Sequence, residues 1–290
     1  MRFSVANGGY DYIYEVRHWT AASQSSKATP HSRMVVPKRH HYVPQMILNG
    51  FTDQKGWLHW CRLDERESVI RRARPRELFL QNHLYSTISE TGTKDPTTER
   101  LLAVLETEAA SVVNAMLAPV RAGQCPSLSD KQKRIWYAFF MTQWRRTPEA
   151  QRAVFSDAEA LVILDEALAE LNLAMPSLRN QINALSTHEA KARTIRNARI
   201  DSLKQISGNV MDVLKRRGIA ILRIVRPNKS FIVGSRPVVK LTPAGQSDLN
   251  DPAVEMWLPI ASDVAVGTGR GDGGISLHFL ADDRPVRQLN

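Results

Sequence analysis

The alternation of apolar and polar positions divides the chain into three stretches. From Asp95 to Gly218 apolar residues recur three and four apart, the period of an amphipathic helix. Leu101, Leu102, Leu105, Ala109, Val112, Val113 and Met116 predict a first long helix, capped by Thr97 or Thr98 and ended around Pro119 and Gly123. Ser129, with Asp130 in the first turn, predicts a second. Its inner side carries Ile135, Trp136, Phe139, Phe140 and Gln143, and it stops before Pro148. Residues 149–173 predict a third long helix ended by Pro176, and 177–217 one or two more, closed by Gly218.

On both sides of this stretch the period shortens to two. Trp57, His59, Cys61 and Leu63 alternate with Leu58, Trp60 and Arg62, and Ser68 to Arg72 can return as the second strand of a hairpin. Another short strand is expected around Leu84 and Tyr85. After Gly218, residues 219–225, 230–233, 255–260, 264–266 and 275–279 are β-like runs separated by glycine and proline turns. The glycine-rich run 267–274 precedes no helix and reads as a flexible turn. The expected fold class is α+β: a helical central bundle with short antiparallel strands contributed by the N-terminal and C-terminal parts. The two β-rich parts are expected to pair, because a single small hairpin is marginal alone.

Residues 1–33 lack a sustained period and read as a poorly ordered extension, with Met34 an alternative start to Met1. Residues 34–290 then form one domain: 34–94 β-rich, 95–218 helical and 219–290 a small antiparallel sheet.

Composition changes this picture in two ways. The balance of 39 Lys+Arg against 29 Asp+Glu gives a net charge of +10, which favours encounter with polyanions. Nucleic acid, RNA or DNA, is the partner this charge suggests first, with an acidic protein behind it. The two cysteines, Cys61 and Cys125, stand far apart, so neither a disulfide framework nor a cysteine-built zinc site is expected. A reducing, cytoplasmic setting fits, and no apolar run approaches the roughly 20 residues needed to span a bilayer. Phosphate-binding loops of the Gly-x-x-x-x-Gly-Lys type, His-Glu-x-x-His helices and Gly-x-Ser-x-Gly elbows are absent from the sequence.

Candidate chemistry is densest from Lys38 to Gln45, where two histidines, a tyrosine, a proline and a glutamine precede a short apolar segment. Pro44 is placed to open a short helix towards Phe51. Neighbouring histidines in an extended segment point to opposite sides, so only one of His40 and His41 faces a given pocket. His41 is favoured as general base or metal ligand. Glu99 and Glu106 lie seven residues, almost two turns, apart on one helix face, about 10 Å between Cα atoms. That is long for two ligands of one ion, so any divalent metal is expected on Glu106 joined by His41. Arg146, in the run Gln143 to Pro148, can clamp a phosphate or serve the helix's terminal carbonyls. Arg193, Arg196 and Arg199, spaced by three, form a basic ridge along which a nucleic-acid backbone could lie or which is a solvated face. Arg71, Arg72, Arg74 and Arg76 make a second basic cluster after the hairpin.

The run from Lys38 to Phe51 resembles the opening of the bacterial domain-of-unknown-function family 4238, and the resemblance extends through Glu99 to Glu106, Gln143 to Pro148, Phe231 to Pro237 and Trp257 to Pro259. It implies that His41, Gln45, Glu99, Glu106, Gln143 and Arg146 converge on one site, and it favours Met34 as the start. Ser235 stands where that family often has an acid. The resemblance brings no activity with it. The function expected from the residues is phosphodiester hydrolysis on nucleic acid, in a bacterial toxin or phage-defence setting. His41, Glu106 and Arg146 would be catalytic, and His40, Gln45, Glu99, Gln143, Arg193, Arg196 and Arg199 would bind. The alternative is a non-catalytic nucleic-acid- or partner-binding protein whose histidine motif is structural.

Overall fold

The structure is a computed structural model that describes residues 13–15, 38–65, 69–154, 156–243, 248–281 and 283–290. The stretch from Ala21 to Met34 lies outside the described residues. Within the extension, β1 (Ile13–Glu15) pairs antiparallel with a strand between the last central helices.

The histidine motif forms β2 (Arg39–His41), followed by α1 (Gln45–Leu48), which runs on as a 3-10 turn to Phe51. Pro44 is the residue just before α1 rather than its first. The hairpin consists of β3 (Leu58–Trp60) and β4 (Arg71–Ala73), with Leu58 opposite Ala73. Strand β5 (Leu80–Asn82) pairs with β2, and β6 (Thr87–Ile88) with β7 (Lys94–Asp95). Leu84 and Tyr85 therefore lie between two strands, not in one.

Helix α2 (Thr97–Arg121) starts at Thr97, but the oxygen receiving the Thr97 N–H comes from Asp95, not from either threonine. Gly123, at φ +80°, follows its end. By length and composition α2 is the described helix that could cross a membrane. Here its apolar stripe, Leu105 to Val120, belongs to the main core instead. Helix α3 (Asp130–Arg145) begins as expected: Ser129 accepts from the Gln132 N–H, and Gln132 reaches back to the Ser129 N–H. Its residues 135–143 are all buried. The expected third helix is two, α4 (Pro148–Val154) and α5 (Asp157–Ala174), because Ser156 caps a fresh start through the Glu159 N–H. Then come α6 (Arg179–Leu185), α7 (His188–Ser202), β8 (Gln205–Ser207), which is the partner of β1, and α8 (Gly208–Arg217).

The last third forms β9 (Ile219–Ile224), β10 (Val239–Leu241), β11 (Glu255–Ala261), β12 (Val264–Thr268) and β13 (Ile275–Leu280), closed by α9 (Asp283–Leu289). They make one sheet in the order β10-β11-β12-β9-β13. The expectation of an antiparallel sheet holds for every pair but one: β13 runs parallel to β9, from Ile275 opposite Ile219 to Leu280 opposite Ile224. Residues 230–233 are loop. Gly267 belongs to β12 rather than to a free turn, and a Cβ there would collide with the Trp257 ring at 2.4 Å.

The class is α+β, with small sheets around the helices. The two β-rich parts do not pair strand to strand. Gly50, after α1, instead presses on the end of β11: its carbonyl accepts from the Ser262 N–H at 3.0 Å, and a Cβ would meet the Ile260 oxygen at 2.4 Å. One apolar core runs from Val43, Ile47 and Leu48 through α2 and α3 to Leu258, Ile260 and Val264. It sets the histidine motif against the end of α3.

A candidate acid-base site around Arg146

Arg146 follows the last turn of α3, whose continuously buried run carries it into the interior; its side chain is 1% exposed. A buried guanidinium requires partners for its donors. Nε donates to the Tyr85 hydroxyl at 3.1 Å, Nη1 to Glu106 Oε1 at 2.5 Å, and Nη2 to the main-chain oxygen of His41. The Tyr85 hydroxyl in turn donates to the Arg146 carbonyl at 2.9 Å. Burial alone would lower the pKa of Arg146; Tyr85 and Glu106 together raise it, so the group stays charged.

The second acid of α2 takes a different partner. Glu99 Oε2 lies 3.5 Å from His40 Nδ1, the same nitrogen that accepts the Tyr85 N–H at 3.0 Å. A nitrogen accepting an N–H offers a lone pair, and a carboxylate oxygen beside it is repelled unless it carries a proton. Burial pushes Glu99 up to about 7, which the Arg146 charge opposes and Glu106 reinforces. The near-two-turn spacing of the acids thus serves two adjoining groups, Arg146 and His40, joined by Tyr85, whose ring stacks on His40 at 5.9 Å.

His40 is fully buried and His41 half-buried, on opposite sides of β2 as the extended geometry requires. Burial lowers the pKa of His41, while a hydrogen bond to the Arg76 carbonyl and the Glu106 charge raise it in part. The Nε2 of His41 has no hydrogen-bond partner among the described residues. The carbonyl holds the ring's other nitrogen as the donor, so Nε2 presents a lone pair. Gln143, one turn before Arg146 and 1% exposed, has neither amide atom hydrogen-bonded among the described residues, nor has buried Glu149 Oε2, and Glu99 Oε2 has only its 3.5 Å approach to His40. Buried polar atoms of native proteins are normally satisfied by protein or water. These atoms are available to hydrogen-bond water, as are others elsewhere in the protein, Trp60 Nε1 and the Tyr137 hydroxyl among them.

Of the residues expected from the sequence, His40, His41, Glu99, Glu106 and Arg146 are brought together, with Gln143 on the adjoining turn. Gln45 is exposed and lines a shallow cleft with Asn49, Gly56, Arg74, Pro75 and Arg76. That cleft reaches His41 only through the Arg76 carbonyl. Arg196 donates to the Ser86 and His83 carbonyls at 2.6 and 2.8 Å, and Arg199 to Asp157 at 2.6 Å. Arg193 makes no hydrogen bond or ion pair among the described residues. The ridge on α7 is therefore mostly a brace between helices and the β6 region, not a row of free cations. Among the described residues no three His, Cys, Asp or Glu side chains are grouped to hold a metal ion. Glu106, the acid expected on a metal, is already bound by Arg146. Sequence reasoning missed Tyr85 and Glu149. The only signal for Glu149 was an acid directly after Pro148, in the first turn of a helix; for Tyr85 there was none, since its role depends on a turn that no periodicity marks.

Fold and site together define an α+β protein with a buried arginine at the centre of a titratable cluster. The chain belongs to the family described as Protein of unknown function (DUF4238), whose model matches residues 39–265. No curated protein and no solved structure matches it.

Proposed function

We propose that the protein hydrolyses phosphodiester bonds of nucleic acid, with His41 as general base and Glu99 as general acid. What supports this reading is that His41, through its carbonyl, and Glu99, through its neighbour His40, each lie one residue from the linked Arg146 and Tyr85, the first with an Nε2 that has no hydrogen-bond partner among the described residues and the second with a carboxyl pushed up to about 7. A base held below its ordinary pKa and a carboxyl raised towards neutrality are what acid-base catalysis uses. His41 Nε2 takes a proton from the attacking water as its oxygen bonds to phosphorus, and Glu99 gives a proton to the ester oxygen that leaves as its P–O bond breaks. Arg146 is a positioning residue here rather than a phosphate clamp, because its donors are committed to Tyr85, Glu106 and His41. The exposed cations Arg39 and Arg76 neutralise the phosphate instead. Arg146 already holds Glu106, and among the described residues His41 and Glu106 have no third His, Cys, Asp or Glu grouped with them, so the step is written with protein groups alone.

The second reading is a non-catalytic nucleic-acid- or partner-binding protein whose histidine motif is structural. The observation in its favour is that Arg146 binds the main chain of His41, not its ring. Purified protein incubated with labelled RNA and DNA separates the two. Cleavage that His41→Ala removes without lowering the melting temperature supports the hydrolase. Substrate left uncut leaves the second reading, and cleavage that persists in a destabilised His41→Ala variant removes His41 as the base.

A further inference from the structure

The polyanion surface expected on α7 has a better candidate on the β3-β4 hairpin. Leu58 and Ala73 turn one face of this ribbon to the core. The opposite face carries Trp57, His59, Arg72 and Arg74, with Arg72 directly across from His59. Arg74 lies flat on the Trp57 ring, 3.8 Å from its centre, with Nη1 on the Lys55 carbonyl at 2.6 Å, and the Arg72 guanidinium is 5.9 Å from the same ring. Acids do touch this face: Asp53 holds His59 at 3.3 Å, and Glu77 caps the Arg74 N–H at 2.8 Å. Arg72 is exposed and makes no ion pair among the described residues. Arg76 is 74% exposed, with its nearest carboxylate, Glu77, 3.9 Å away. Arg74 and Arg76 continue this face into the cleft that also holds Gln45 and Asn49, and the carbonyl of Arg76 fixes the His41 ring.

We propose that this face binds single-stranded nucleic acid and leads it to His41, an inference that rests on the hydrolase reading for its destination. Arginines set among half-exposed aromatic rings suit a single strand: cations follow the phosphates, and rings accept unpaired bases whatever their sequence. A duplex hides its base faces and could use only the charges.

The test measures fluorescence anisotropy of labelled single-stranded RNA and DNA against salt, in a His41→Ala background that stops cleavage. Arg72→Glu with Arg76→Glu is expected to weaken binding at least about 10-fold and to flatten the logarithmic salt slope by about 1.4, the loss of two phosphate contacts at about 0.7 each. The control Arg193→Glu with Lys215→Glu, the same change of charge elsewhere, is expected to alter affinity less than about 2-fold. Duplex of equal length is expected to bind more weakly. Equal weakening by both pairs, equal affinity for duplex, or no binding at all overturns the proposal. The two readings fail separately. Binding that follows the ribbon, with substrate left uncut by the wild type, sinks only the hydrolase. Cleavage whose kcat/KM is indifferent to Arg72→Glu alone, a residue with no part in the proposed chemistry, sinks only the ribbon.

Discussion

Two arginines are buried among the described residues, and they are buried differently. Arg217, at the end of α8, donates to the carbonyls of Leu249, Asp251, Val254 and Gly269 at 2.6–3.1 Å and to that of Pro252 at 3.3 Å. All of these partners are main-chain oxygens, and none of the residues supplying them has a buried polar side-chain atom without a partner. Burial lowers its pKa. Arg146 binds a carboxylate, a phenol and one carbonyl, and its surroundings hold an imidazole, a carboxyl group and an amide with open atoms. Residue type and burial are thus no guide to role. Arg217 is satisfied by the main chain of a loop, whereas near Arg146 the buried His41 Nε2 and Glu99 Oε2 have no hydrogen bond among the described residues.

The comparison breaks most visibly in activity. His41→Ala and Glu99→Gln are each expected to lower cleavage by about 10²–10⁴-fold, the usual worth of a general base or acid. Arg217→Met is expected to leave cleavage per folded molecule unchanged, as measured by active-site-normalised rates. Stability comes next. Arg146→Met leaves Glu106 without its partner and is expected to cost about 3–5 kcal/mol in urea unfolding. Arg217→Met strands neutral carbonyls, costing about 1–3 kcal/mol. Equal costs would mean that the Glu106 ion pair adds nothing beyond hydrogen bonding.

A smaller effect depends on pH. The folded pKa of Glu99, about 7, lies above its ordinary value of 4.5, so the native state resists ionising it. Stability from this group is therefore intact at acid pH and lost as pH rises from the carboxylate range through about 7. Glu99→Gln is expected to match the wild type at low pH and to exceed it by about 2 kcal/mol above neutrality. A difference independent of pH would show that burial does not control this carboxyl. The smallest effect sharpens the contrast from outside: Arg199→Ala, which breaks a pair with the largely exposed Asp157, is expected to cost less than about 1 kcal/mol.

Much of the helical centre was legible because its signals are local. The apolar stripe of α2, the Ser129 cap of α3 and Gly218, at φ +75° after α8, all follow from a few adjacent residues. The break between α4 and α5 was equally local, since Ser156 with Glu159 is a capping box, but the apolar run across it masked the signal. Non-local features were not legible. The parallel pairing of β13 with β9 depends on how the chain crosses the sheet, and Gly50 on β11 depends on packing between distant parts. The candidate site shows the same division. The histidines and both acids could be named from motif and spacing. Tyr85, the link between them, could not, and the free-cation reading of Arg196 failed because the carbonyls it serves come from residues 83 and 86, over a hundred positions away.

The central claim is that His41 and Glu99 work as a base and an acid. It is met most directly by the pH dependence of kcat/KM for cleavage of a labelled oligonucleotide. A bell is expected, with its ascending limb below about 6.5, where the lowered His41 loses its proton, and its descending limb near 7, where Glu99 loses its own. Glu99→Gln should leave a much slower reaction without the descending limb. No cleavage at any pH, or a profile that keeps both limbs in that variant, contradicts the account.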